Sequence, residues 1–242
     1  VRVRERESAP ATVRGRAGTL GRLGQLVRPT ARSLPWRAVG AGAAVGLLLA
    51  ALPRLTSSDP DPWMTLLLLR GAALSFALGL TFLLDDPARD VTATVPTRRM
   101  VRATLRTALI APSAALWWTA TVLLIPPKVR PPVGDITLEA AAATVVALAA
   151  SALATRLTPE PRPGQRVAVA LLATSMAAAL FVPRNWGLFA TPKDKNWATG
   201  HDHWTLILLS AAIVWAACGP EPLRRHRGLL RVRRTRPGLS AG

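Results

Sequence analysis

The stretch WMTLLLLRGAALSFALGLTFLL, residues 63–84, decides the fold class. About 20 consecutive apolar residues are what a helix needs to cross the hydrocarbon core of a bilayer. This run meets that length with one ionisable side chain, Arg70. A soluble helix of this length would carry a polar face, and none is visible here.

The same pattern recurs along the chain. Apolar runs fall at about 38–54, 105–125, 136–155, 167–183 and 204–219. With 63–84 they predict an all-α, polytopic membrane bundle of six transmembrane helices at 36–219. A basic segment (1–35) precedes it and a basic tail (220–242) follows. The first run is short, but Trp36, Arg37 and Arg54 at its ends extend its reach by anchoring and snorkelling. It reads as a span rather than a cleaved signal peptide, since the leader before it is long and comparable runs follow. Leu20, Leu23 and Val27 could share a helical face in the leader, although Gly18, Gly21 and Gly24 weaken such a helix.

Half of the 242 residues are apolar, yet the formal net charge is +18. The two excesses are segregated, with arginines flanking the apolar runs instead of decorating a polar domain. That pattern argues for a membrane protein and against a nucleic-acid binder. Along the six-span alternation, 24 Lys and Arg residues fall on one side and six on the other. The positive-inside bias therefore predicts that both termini are cytoplasmic. Trp63, Trp186, Trp197 and Trp204 all fall at the opposite interface, where indole rings are favoured. The preponderance of Arg over Lys suggests a GC-rich bacterial source and hence a bacterial plasma membrane; the opening Val1 fits a GTG start.

Arg70 is the sharpest single residue. It lies seven positions after Trp63, about 10 Å along the axis at ~1.5 Å per residue. A charge at that depth normally faces the bundle and finds a partner. Glu139 enters the fourth span from the same side and is the acidic residue inside a predicted span interior, so Arg70 and Glu139 form a candidate intramembrane polar pair. It reads either as a structural ion pair or as part of a polar pathway. Trp117 and Trp118, deep in the third span, read as packing residues. Gly42-x-x-x-Gly46 fits close helix packing, within the bundle or in a dimer.

On the cytoplasmic side, Asp86-Pro87 reads as a helix N-cap followed by Pro at N1, which starts a short helix over 86–94. A second helical phase starts at Thr97. There Arg98, Arg102 and Arg106 recur every fourth residue and form a basic stripe suited to anionic headgroups. On the outer side, 183–202 is long enough to dip back toward the membrane. His201-Asp202-His203 lacks further ligands nearby and reads as solvated, so no metal site is assigned. Cys218 is the single cysteine, and it reads as a packing residue. No phosphate-binding loop, His-Glu-x-x-His or Gly-x-Ser-x-Gly motif is present, so no catalytic residue is assigned.

Leu83-Leu84-Asp85-Asp86-Pro87-Ala88-Arg89, running into Pro96-Thr97-Arg98-Arg99, together with the six-span charge pattern, resembles the membrane permease subunits of type-2, exporter-like ATP-binding-cassette transporters, especially actinobacterial ones. The resemblance implies a coupling helix that docks on a separate cytoplasmic ATPase through Asp85, Asp86, Arg89 and Asp90. It also implies a second six-span permease, and ATP and Mg bound by the partner subunit with no cofactor on this chain. This sequence departs from the family in its short first span and its unusually basic leader. A non-transporting scaffold or accessory subunit is the alternative, and a membrane enzyme is the weakest reading. Ala, Leu, Ser and Thr would line any pathway, which suits a hydrophobic cargo without naming one.

Overall fold

The computed structural model describes residues 30–56, 59–85, 99–158 and 162–218. Among them every regular element is helical. Six long helices follow in order: α1 (Trp36–Thr56), α2 (Pro62–Leu80), α3 (Arg99–Leu124), α4 (Val133–Leu157), α5 (Gly164–Phe181) and α6 (Trp197–Cys218). A single 3₁₀ turn, Thr81–Leu84, extends α2.

Five of these helices are long and apolar enough to cross a bilayer: α1, α2 with its extension, α3 from Ala103, α4 and α5. Their large apolar side chains stay exposed on the outer faces, among them Leu48, Leu116, Leu172 and Phe181. Such faces suit lipid contact in a multi-pass membrane protein. The sixth helix falls outside that set, because Gly200, His201, Asp202 and His203 occupy its opening turns.

The ends differ from the sequence reading in two places. Helix α1 is 21 residues long, continuing through Pro53 to Thr56, so the short first span is a full-length helix. Arg54 closes it by donating to the Leu123 carbonyl at the end of α3 (3.1 Å). Helix α6 starts at Trp197, seven residues before the apolar run. The turn ahead of it is tied by the Trp197 amide to the Asp194 carbonyl and by the Asn196 amide to the Asp194 carboxylate. The 86–94 helix with Asp86, Arg89 and Asp90 lies outside the described residues, as do Arg98 and the side chain of Arg102.

Contacts between helix ends show that the helices alternate in direction. Arg54 meets the end of α3, and Arg156 near the end of α4 donates to the Ala217 carbonyl at the end of α6. Two ends result. One, the basic end, carries the crossover between α2 and α3. The other, the tryptophan end, carries the start of α2, α4 and α6.

Helices α2 and α4 form the centre. Their most apolar windows are 56% and 44% buried, against 22% or less for α1, α3 and α5. In lipid the close approach of backbones, rather than a drive to escape water, holds helices together. The α1–α2 crossing uses that device. Gly42 lies against the Ser75 carbonyl and Gly79, while Gly46 lies against Ala72 and the Trp117 ring. Trp117 stacks on Phe76 at 4.3 Å between centroids and donates its indole N–H to the Ala43 carbonyl. The Gly42/Gly46 motif is therefore spent inside the chain, and Trp117 is a wedge between α1 and α2.

A Cβ at position 42 would stand 2.5 Å from the Ser75 carbonyl oxygen, which is backbone and cannot swing away. Gly42→Val is expected to lower stability in detergent by about 1–3 kcal/mol through overpacking. Gly40, with open space around it, is the control. Gly40→Ala should leave the free energy of unfolding unchanged or raise it by up to about 1 kcal/mol, the gain from helix propensity.

Candidate functional site

The polar centre of the bundle lies toward the tryptophan end, where α2, α4 and α6 meet. Helix α2 is set by Asp61, whose carboxylate accepts from the Met64 amide ahead of Pro62 at the first helical position. That start leaves Arg70 on the face toward α4. Helix α4 opens with Asp135 in its first turn, and one turn later Glu139 sits on the face toward α2 and α6.

Arg70 and Glu139 meet as a fork. Arg70 Nε donates to Glu139 Oε2 at 2.7 Å and Nη2 to Oε1 at 2.7 Å. The side chains are 15% and 4% exposed, so both charges are out of water. Two parallel N–H···O bonds in this geometry are the strong form of an ion pair. Arg70 Nη2 also donates to the Ala190 carbonyl at 3.2 Å, and its guanidinium carbon lies 6.0 Å from the Phe189 ring centre.

A third ionisable group completes the cluster. His201 Nδ1 donates to the Trp197 carbonyl one turn back at 2.8 Å, which leaves Nε2 directed at Glu139 Oε1, 3.3 Å away. Nε2 is buried and off hydrogen-bond geometry in this arrangement. With Nδ1 as donor, Nε2 can donate to the carboxylate only when the ring carries a second proton. Trp197 stacks obliquely on His201 at 4.4 Å and donates its indole N–H to Asp135 at 2.7 Å.

The segment between α5 and α6 covers this cluster. Three of its alternating carbonyls are each taken by a side-chain donor from the bundle. Trp186 O accepts from His203 Nδ1, Leu188 O from Trp204 Nε1 and Ala190 O from Arg70. Gly187 makes the sharp turn with φ +70°, a conformation that side-chain-bearing residues rarely adopt, and its backbone packs on Gly200 of α6. The segment folds back onto the bundle, and Arg70 is one of the three side chains that tie it there.

The sequence reading of His201 is corrected. It sits inside the bundle, not on a solvated loop, because α6 begins earlier than its apolar run. His203 stays at the rim, stacked on Trp186 at 5.4 Å. Among the described residues no group of three or more His, Cys, Asp or Glu could hold a metal ion.

At the basic end, Asp85 and Arg106 are engaged within the chain. Asp85 Oδ1 accepts from the Gly164 amide at 2.9 Å, and so caps the N-terminus of α5 from outside that helix. Arg106 Nη1 donates to the carbonyls of Leu83 and Asp85 at 3.2 Å each, closing the carboxyl end of α2. A carboxylate at a helix N-terminus and a guanidinium at a C-terminus both complement the helix dipole. Of the residues expected at the coupling contact and in the headgroup stripe, Asp85 and Arg106 are thus also intramolecular caps.

Compared with known protein families, with curated proteins and with solved structures, the chain matches none.

Arg70→Ala would leave Glu139 buried without its partner, and breaking such a pair from one side costs about 3–5 kcal/mol. Arg70→Lys keeps one charge but loses the fork, so it should fall between the alanine variant and the native chain. In both variants, amide hydrogen exchange across 187–196 is expected to rise, because the Ala190 carbonyl loses its donor. Unchanged exchange in the alanine variant would mean that the segment is held without Arg70.

Proposed function

We propose that this chain is the membrane-spanning permease subunit of a type-2-like ATP-binding-cassette transporter, an exporter energised by a separate cytoplasmic ATPase. In this reading it has six spans in a bacterial plasma membrane with both termini cytoplasmic. A second six-span permease completes the assembly.

The observation that carries the reading is the bracing of the α2–α3 crossover at the basic end. Asp85, where the chain leaves α2, is bonded to Gly164 of α5. Arg106, shortly after it has entered α3, is bonded back to Leu83 and Asp85. A push on the intervening segment is therefore delivered to α2, α3 and α5 together. That is the mechanical property a coupling element needs.

Within this reading the ATPase contact falls to Asp86, Arg89 and Asp90. Asp85 transmits the force. The Arg70–Glu139–His201 cluster joins α2, α4 and α6 at the other end, so a displacement of α2 must either carry α4 with it or break the fork.

The test is co-purification in mild detergent from the native host, with Asp86→Ala and Arg89→Ala in parallel. Recovery of an ATPase subunit with the native chain, and its loss in both variants at unchanged yield, is the expected result. Asp85→Ala should instead loosen the bundle and lower its free energy of unfolding by about 1 kcal/mol, the usual value of a lost cap. Absence of any ATPase from the native complex would contradict the permease reading and leave a scaffold or accessory subunit.

A further inference from the structure

A second feature is a groove of about 450 Å³ on the face shared by α4 and α6, lined by none of Arg70, Glu139 and His201. Its mouth is the stacked pair Trp186 and His203. Below them the lining is apolar but for Ser210, with Val146 of α4 and Leu206, Ala211 and Val214 of α6. From His203 to Val214 the groove descends about 16 Å along α6, at ~1.5 Å per residue. That is roughly half of the ~30 Å hydrocarbon core, the depth of one leaflet.

We infer that this groove binds one acyl chain of an anionic phospholipid, with the phosphate headgroup at Trp186 and His203. Three properties select this occupant. The depth matches a single leaflet. The polarity changes from aromatic and ionisable at the interface to apolar below, in the direction a lipid changes. The chain around the mouth is net cationic, since residues 184–203 carry Arg184, Lys193 and Lys195 against Asp194 and Asp202, and Arg184 lies on the same one-turn helix as Trp186.

The surrounding lipid is as apolar as the groove, so burial alone gives no preference for this place over the rest of the surface. Selectivity must come from the fit of the chain against Ala211 and Val146 and from the headgroup at the mouth. The inference is independent of any ATPase, and needs only that the tryptophan end lies at a membrane interface.

The test uses the full chain in nanodiscs with phosphatidylglycerol or phosphatidylcholine carrying a photoactivatable group at mid-chain. Cross-linked peptides are then mapped by mass spectrometry. Labelling by phosphatidylglycerol should concentrate on 203–214, several-fold above the exposed apolar face of α1 around Leu48 and Leu55. Val214→Trp, at an exposed position of the lining, should bring that labelling down to the α1 level at an unchanged unfolding midpoint. Arg184→Gln, at the exposed rim, should lower the preference for phosphatidylglycerol over phosphatidylcholine about five-fold, the effect of one basic residue at an anionic surface. Labelling of the native chain spread evenly over α1, α3, α5 and α6 would overturn the inference without recourse to any variant. Equal labelling by the two lipids would overturn the headgroup assignment.

Discussion

Two opposite charges held out of water constrain the tryptophan-end half of this molecule. The Arg70–Glu139 fork fixes the rotation of α2 and α4 about their own axes, since a small turn of either helix would leave a charge facing lipid. It also fixes their relative height, because both bonds are made at 2.7 Å. Once these helices are set, the second hydrogen of Arg70 Nη2 reaches the Ala190 carbonyl, and His201 is brought to Oε1 of Glu139. A buried ion pair is a weak source of net stability, because desolvation offsets the attraction. Its contribution here is to specify one packing out of many that apolar helices would otherwise tolerate.

At the basic end the same physics acts through helix dipoles. The carboxylate of Asp85 and the guanidinium of Arg106 close two helix termini that would otherwise leave unpaired amides and carbonyls. A Cβ at Gly164 would stand 2.7 Å from the Asp85 carboxylate, so the absence of a side chain there is what lets the acid reach the amide. The bundle is thus tied at both ends by charged side chains and zipped between them by glycines and Trp117. Helix α5 is the outlier. Its buried residues are Gly164 and Val167, both in its first turn, and beyond them it presents Leu172, Met176, Leu180 and Phe181 outward.

How much of this was legible in the sequence follows from which signals are local. The long apolar runs are local, and five of them became helices able to span a bilayer, with the sixth apolar run forming the latter part of α6. Arg70 and Glu139 stood out because an ionisable group inside an apolar run has few ways to be accommodated, and their similar depth suggested their meeting. His201 did not stand out. His-Asp-His looks like loop chemistry, and the Asp194 turn that starts α6 early carries no apolar periodicity. Asp85 as a cap of α5 was not legible, because its partner is 79 residues away and is a backbone amide, which no side-chain pattern can announce. The groove has no sequence signature at all, since it is the space left between helix faces and a folded segment.

The central claim is that Arg70 and Glu139 act as one unit that orders the tryptophan-end half of the bundle. A double-mutant cycle in lipid nanodiscs measures it directly, with Arg70→Met, Glu139→Gln and the double variant compared by their free energies of unfolding. The account predicts that the double variant is less destabilised than the two single losses sum to, by about 2 kcal/mol or more, within the range found for residues sharing one network. Effects that add to within about 0.5 kcal/mol, the behaviour of independent sites, would contradict it.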